Sequence, residues 1–402
     1  MLQSSVNSLN FAALKTKNII LKRGKETSVL RGHPWIFSGA VQQADNIHPG
    51  DWAEVLDFKG QYLASGHVGN GSILVRVLSR TQELPNHGFW KNRLQSCFDI
   101  RKKLFGDFSQ TNAYRLVHGE GDGLPGLIID IYADCAVIQA HSHGMYHAQK
   151  EIAAALDEVY SGNLKTIYAK SRASMHDPNA DDAFLKGETP ETVALENGIS
   201  FKVNWVAGQK TGFFLDQREN RQLLAHYSAG KTVLNTFCYT GGFSVYALKA
   251  GATAVCSVDI SEKAVALAAE NATLNGFEKN HTTVAADVPQ YLKDNKEAYD
   301  IVVLDPPAFA KNLSKKHQAV MGYKRLNQLG IQTVKPGGLL FTFSCSQVID
   351  DTLFANTVTA AGIEAGRNAR ILHRLGQGPD HPVNLFHPEG HYLKGLVLYI
   401  ED

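Results

Sequence analysis

Cys345 ends the apolar run GGLLFTFSCSQ (residues 337–347), held between Ser344 and Ser346. A free cysteine is more often an inert small hydrophobe, which is the reading for Cys256 inside AVCSVD. Cys345 differs because it stands where a strand leaves its sheet, a place suited to a nucleophile. Upstream, LDPPAFAKN (304–312) sets Asp305 and Phe309 in a loop stiffened by two prolines, which also remove backbone N–H groups there. A carboxylate beside a flat aromatic ring offers a planar nitrogen base both stacking and a proton-bearing partner. A third stretch, LNTFCYTGGFS (234–244), reads as strand, glycine turn and helix start. Gly241 and Gly242 permit close approach of backbone and ligand, and the helix N-terminus offers free N–H groups. Two glycines alone mark an ordinary turn. Asp259, 18 residues after Gly241 and at the end of the next strand, can take both hydroxyls of a ribose, which points to a nucleoside-type cofactor. Asp287, in VAADV, stands where an adenine amine could be met.

Other patterns are weaker. GDGLPG (121–126) matches a phosphate-loop spacing but leads into a strand and reads as a hairpin turn. His141, His143 and His147 have metal-like spacing without a nearby acid or cysteine pair, so a strand end is the better reading. His381, His387 and His391 lie in a final loop expected to hang over the same rim as Cys345. No metal site is expected.

These residues need a frame. From 231 onward, short apolar strands alternate with helical stretches (242–250, 261–275, 288–296, about 321–334, and 350–362), which predicts a mostly parallel, doubly wound sheet ending in an antiparallel hairpin. If the first and fourth strands flank the switch point, the fifth lies beside the fourth. At about 4.8 Å between strands, Asp305 and Cys345 then become neighbours at one rim. Residues 18–82 hold alternating strands with a tight Lys59-Gly60 turn and read as a small β-barrel. Residues 83–204 combine a connector helix (86–105, with Lys91, Arg93, Arg101, Lys102 and Lys103 on its outer faces) with an α+β module carrying a loop at 176–190 that is free to move. Residues 1–17 read as a loose tail, and 205–402 as the alternating domain.

A chain of 402 residues suits two or three such domains. No apolar run approaches a membrane span, and no secretory signal is visible. Five cysteines without a C-x-x-C pair argue for a reducing, cytoplasmic setting and against a disulfide framework. Net charge is +1, so any nucleic-acid contact must be local. Lys15, Lys17, Lys22, Arg23, Lys25 and Arg31 supply one basic stretch.

With GHPWIFSGAV, EGDGLPGLIID, GQKTGFFLDQREN, NTFCYTGGFSVYAL, DPPAFAKN, FTFSCS and HPEGHYLKG in this order, the chain resembles the bacterial large-subunit ribosomal RNA cytosine carbon-5 methyltransferases with an N-terminal PUA domain. The resemblance implies a multidomain α/β protein. Its parts would be a PUA-like RNA-binding barrel, a β-β-α-β-β middle module and a Rossmann-like, seven-stranded methyltransferase domain using S-adenosylmethionine. It implies a cofactor site lined by Asn235, Phe237, Tyr239, Thr240, Gly241, Asp259, Ile260, Asp287 and Asp305, covered by FFLDQREN with Gln217 and Arg218 nearest. Cys345 matches the family's cysteine after the fifth strand. Ribosomal RNA would be held by the barrel and by basic stretches near 15–31 and 311–325, with Lys22, Arg23 and Lys311 among the contacts and Phe309 against the base. Related enzymes often carry a second cysteine in the fourth-strand motif, where this chain has Pro306-Pro307-Ala308. Oligomeric state stays open, a homodimer included.

In the mechanism this implies, Cys345 adds to carbon-6 of the pyrimidine and makes carbon-5 nucleophilic. Asp305, protonated or sharing a proton, bonds the ring nitrogen, which requires a raised pKa. Rival readings are methylation of a guanine or adenine nitrogen, which has no use for Cys345, and methylation of uridine carbon-5. A non-catalytic RNA-binding assembly factor is a further alternative. A nicotinamide dehydrogenase is the weakest reading, because the first strand-helix turn of this chain lacks the G-x-G-x-x-G fingerprint.

Overall fold

The computed structural model describes residues 16–402 except 176, 297 and 311. The expected tail therefore lies almost wholly outside the described residues, and Lys311 lies outside them too. Near the N-terminus six strands form one mixed sheet. Its inner face buries Ile19, Leu21, Ile36, Val55, Val75 and Val77. The Lys59-Gly60 hairpin is present, with Gly60 at φ +81° between the antiparallel strands Trp52–Leu56 and Tyr62–Val68. Strands Trp35–Phe37 and Val41–Ala44 are absent from the strand pattern read in the sequence; the first falls within GHPWIFSGAV and the second begins at its last residue.

The connector helix spans His87–Phe105, with the Asn86 side chain accepting from the Phe89 amide at its start. One expectation on this helix fails. Arg101 does not face solvent; it is 0% exposed and forms a bidentate ion pair with Asp122 (2.6 and 2.7 Å). It also donates to the backbone carbonyls of Arg115 and Asp380. The middle module is a five-stranded sheet. Three strands, in YRLVHG, GLIIDIY and CAVIQAH as the residues themselves read, precede its helix His143–Val159, one more than the β-β-α-β-β module that the resemblance implies. The stretch expected to move contains strand Ala183–Lys186, paired antiparallel with Thr166–Ala169. The GDGLPG segment is a turn between antiparallel strands, as read.

The C-terminal domain is numbered here from its own first strand. Its strands are β1 (Thr232–Thr236), β2 (Ala254–Asp259), β3 (His281–Ala285), β4 (Tyr299–Leu304), β5 (Val334–Ser344), β6 (Ala369–Leu375) and β7 (Lys394–Ile400). They lie in the order β3-β2-β1-β4-β5-β7-β6. All neighbours are parallel except β7, which runs antiparallel to both β5 and β6. Helices α1 (Arg218–Ser228), α2 (Gly242–Lys249), α3 (Glu262–Leu274), α4 (Val288–Asp294), α5 (Lys316–Thr333) and α6 (Asp351–Ala365) connect or flank them.

The central strands are continuous apolar runs because both faces are covered. Along β4, Ile301 and Val303 join one core with α1 and α2, while Val302 and Leu304 join the other with α5 and α6. Packing is close: a Cβ on Gly330 of α5 would meet Leu304 at 2.6 Å. Strand order reverses between β1 and β4, so the carboxyl ends of β1, β4 and β5 share the rim where ligands of such sheets bind. No described helix is long and apolar enough to cross a membrane.

Candidate active site

At that rim lies a cleft of about 330 Å³, within the usual range for ligand sites. The turn after β1 forms one wall. Phe237 and Tyr239 adopt left-handed backbone (φ +52° and +44°), a conformation that residues with side chains sustain only when the surroundings enforce it. Asp259, ending β2, supplies part of that enforcement: its carboxylate accepts from the Tyr239 and Ser261 amides. Gly241 is left-handed (φ +74°) and packs so tightly that a Cβ would meet the Ala268 Cβ at 2.8 Å. The start of α2, at Gly242 and Phe243, thereby opens on the cleft.

The opposite chemistry comes from β4 and β5. Leu304 and Thr342 are register partners, so the residues that follow leave the sheet side by side. Ser344 and Ser346 are fully buried, with the Ser346 hydroxyl 3.0 Å from the Tyr323 hydroxyl, whereas Cys345 between them is half-buried and lines the cleft. Asp305, Pro306 and Pro307 line it as well. Burial pushes the Asp305 carboxyl up to about 7, with the Asp216 carboxylate adding to the shift and Gln217, Arg221 and Lys210 opposing it. Burial likewise pushes the Cys345 thiol up to about 11, Asp305 and Asp216 contributing in the same direction while Lys210 pulls it down. At rest Cys345 is a thiol.

The loop before α1 closes the cleft. Gln217 lines it, as do Gln209, Lys210, Phe214 and Asp216, which the sequence reading did not single out although they lie inside or beside GQKTGFFLDQREN. Asp216 accepts a 2.6 Å hydrogen bond from the Tyr392 hydroxyl through Oδ2, while its buried Oδ1 has no protein partner. Burial favours the protonated form of Asp216, but nearby His381 and Lys210 and the Tyr392 bond hold the group below the ordinary aspartate value. Cys238, also in the wall, is buried, and burial raises its thiol pKa far above the ordinary range.

Of the residues expected at the site, Gln217, Asn235, Phe237, Tyr239, Thr240, Asp259, Ile260, Asp305 and Cys345 meet in this one cleft. Gly241 is not among the lining residues, though its neighbours Thr240 and Gly242 are. Arg218 does not reach it; the guanidinium is buried and pairs with Asp380 (2.8 Å) and Glu196 (3.4 Å), holding α1 against the final loop. Asp287 caps α4 by accepting from the Gln290 amide and is not part of the wall. Phe309 packs on Tyr323, ring centroids 4.6 Å apart, outside the wall. Lys22 and Arg23 lie on the N-terminal sheet domain, where Lys22 donates to the Gly39 carbonyl and Arg23 sits over Phe58.

The residues present suit a nucleoside sulfonium. Asp259 offers a carboxylate for vicinal hydroxyls, Phe237 and the 74%-exposed Ile260 offer apolar surface, and the unpartnered Asp216 oxygen offers a counter-charge.

Known proteins resemble the chain in sequence and fold. The family described as S-adenosylmethionine-dependent methyltransferase matches residues 167–385, and the PUA-like domain family matches residues 19–80. A ribosomal RNA large subunit methyltransferase I from Aeromonas hydrophila is 42% identical over 95% of this chain and 98% of its own length. Its namesake from Alteromonas mediterranea is 39% identical over 96% and 99%. Among solved structures, one assigned as a SAM-dependent methyltransferase from Streptococcus mutans matches with TM-score 0.82 at 27% identity, covering 95% of this chain and 99% of that one. A methyltransferase complexed with SAH reaches 0.83 at the same identity and coverage.

Proposed function

Because the chain belongs to the S-adenosylmethionine-dependent methyltransferases that carry a PUA-like domain, we propose that it methylates carbon-5 of a cytosine in large-subunit ribosomal RNA through a covalent adduct to Cys345. The observation that carries this reading is that Cys345 and Asp305 share one cleft with Asp259 and the glycine turn. Asp259 would hold the cofactor's ribose hydroxyls, Phe237 and Ile260 its adenine, and Asp216 its ammonium group, with Asp287 near the adenine edge. S-adenosylmethionine, when bound, supplies an electrophilic methyl group.

The chain's own groups prepare the base. A thiol with its pKa near 11 needs a proton acceptor, and the Asp305 carboxylate is the neighbour placed to serve. Asp305 takes the proton as Cys345 adds to carbon-6, then presents it to the ring nitrogen where electron density collects. One proton is thus shared between Cys345 and Asp305. Carbon-5 becomes the nucleophile; its proton then passes to solvent water while Cys345 leaves as the thiolate, and the ring nitrogen returns its proton to Asp305, which restores the ring. A paired cytosine must first leave its stack, so the target is single-stranded or opened RNA. The PUA-like domain, with Lys22 and Arg23, together with Lys311 and Phe309, would hold the RNA around it. The domains divide near 82/83 and 204/205, and the enzyme works in the cytoplasm.

The test is product analysis. Full-length protein, labelled S-adenosylmethionine and large-subunit ribosomal RNA should yield 5-methylcytidine after digestion to nucleosides. A methylated guanine or adenine nitrogen, or 5-methyluridine, would overturn the assignment.

A further inference from the structure

Outside the cleft, one cluster of three metal-binding side chains occurs among the described residues: His33, His387 and Glu389, whose ligand atoms all lie within 4.8 Å of one another. His33 belongs to the PUA-like domain and the other two to the loop between β6 and β7. We propose that these residues bind a divalent transition-metal ion, Zn2+ fitting best, which ties the final loop of the methyltransferase domain to the PUA-like domain.

The independent observation is His387. Its side chain is 4% exposed, yet neither ring nitrogen has a hydrogen-bond partner. Leaving such a buried group unpaired is costly, so a partner is expected. Trp35 and His33 pack on the imidazole in T-shaped contacts, with ring centroids 4.3 and 5.5 Å away, and neither supplies a hydrogen bond to its nitrogens. His387 Nε2 stands 3.8 Å from Glu389 Oε2. Tetrahedral zinc with bonds of about 2.0–2.1 Å puts its ligands about 3.3 Å apart, so this pair needs to close by only about 0.5 Å. Glu389 is exposed and free to make that movement.

The ligand types and their support agree with zinc. Two imidazoles and one carboxylate are a common zinc set, with a fourth position left for water. His33 Nδ1 lies 3.2 Å from the Trp35 carbonyl. Nδ1 also accepts from the Trp35 amide at 3.1 Å, so a metal on Nε2 would take this ring in its other tautomer, with Nδ1 donating to the carbonyl and the amide bond given up. His387 is set by a short turn, its amide donating to Asn384 and its carbonyl accepting from Gly390. The same loop carries Asp380, which pairs with Arg218, and Tyr392, which bonds Asp216 in the cleft wall. An ion at this joint would therefore fix the loop from the end opposite the cleft.

The experiment is metal binding by the full chain after chelator treatment, read by calorimetry with Zn2+ and by the visible spectrum with Co2+. One equivalent of Zn2+ should bind, and Co2+ should give the intense bands of a four-coordinate site. Glu389→Gln, at an exposed position, should weaken Zn2+ at least about tenfold. His387→Ala and His33→Ala should remove the Co2+ bands, and His391→Ala should leave both readouts unchanged. Should His387→Ala fail to fold by circular dichroism, Glu389→Gln and His33→Ala decide. No binding by the wild-type chain, or unchanged binding in Glu389→Gln and His33→Ala, would overturn the proposal. Because none of these readouts uses methylation, failure here leaves the assigned reaction standing.

Discussion

The Asp305 carboxyl helps hold the Cys345 thiol protonated from the neighbouring strand end. Burial and this carboxylate, with Asp216 behind it, push the thiol up to about 11, while Asp305 itself is raised to about 7. Groups this close titrate as a pair. The competent form carries one proton between them.

Activity should therefore rise as pH increases through about 7, where Asp305 becomes able to accept the thiol proton, and fall again toward about 11, where the pair loses its last proton. Asp305→Asn should lower kcat by about 10²–10⁴ and remove the limb near 7. The pH dependence of kcat/KM for the two proteins checks this; an unmoved lower limb in the variant would contradict it.

The same group makes a stability prediction of unusual sign. The folded pKa of Asp305 lies above the unfolded aspartate value of about 3.9, so the native state binds the extra proton. Its contribution to stability is fully present below pH about 4 and is lost as pH rises to about 7. Asp305→Asn should accordingly stabilise the protein at pH 8, by about 2 kcal/mol after allowing for the cleft's contact with water, and much less at pH 4. Urea unfolding at both pH values measures the difference.

In the proposed site Asp259 would join cofactor recognition to backbone strain. Asp259→Ala removes the carboxylate meant for the ribose and the acceptor that holds the Tyr239 amide in its left-handed turn. Calorimetry should find SAH binding weakened by about 10–100-fold. Unchanged affinity would place the ribose elsewhere.

The buried Arg101–Asp122 pair predicts a large effect far from the cleft. Arg101→Met should destabilise by about 3–5 kcal/mol, because it strands a buried carboxylate. Adding Asp122→Leu should recover part of that loss, a non-additivity that denaturant unfolding of the single and double variants would expose.

What could be read in the sequence follows the range of the forces involved. The glycine turn, the acid ending β2, Asp-Pro-Pro and Cys345 are each local signals on regular alternation, and the parallel strand order brings them together at one edge. Arg101 was misread because its charge suggests solvent, while its partners Asp122 and Asp380 lie 21 and 279 residues away. Arg218, placed beside the site by the resemblance, is held instead by Asp380, 162 residues distant. Lys210 and Asp216 reach the cleft on an irregular loop without periodicity, so only their place beside Gln217 hinted at a role. The strands Trp35–Phe37 and Val41–Ala44 are too short to show alternation. His33 and His387 meet only because the domains pack.

The central claim is that Cys345 forms a bond to the base. Incubating the full-length protein with S-adenosylmethionine and large-subunit ribosomal RNA containing 5-fluorocytidine tests it most directly, because fluorine at carbon-5 blocks the final elimination. A covalent protein–RNA adduct should form and should be absent in Cys345→Ser. Methylation of ordinary RNA at the wild-type rate by Cys345→Ser, or an adduct that survives the substitution, would contradict it.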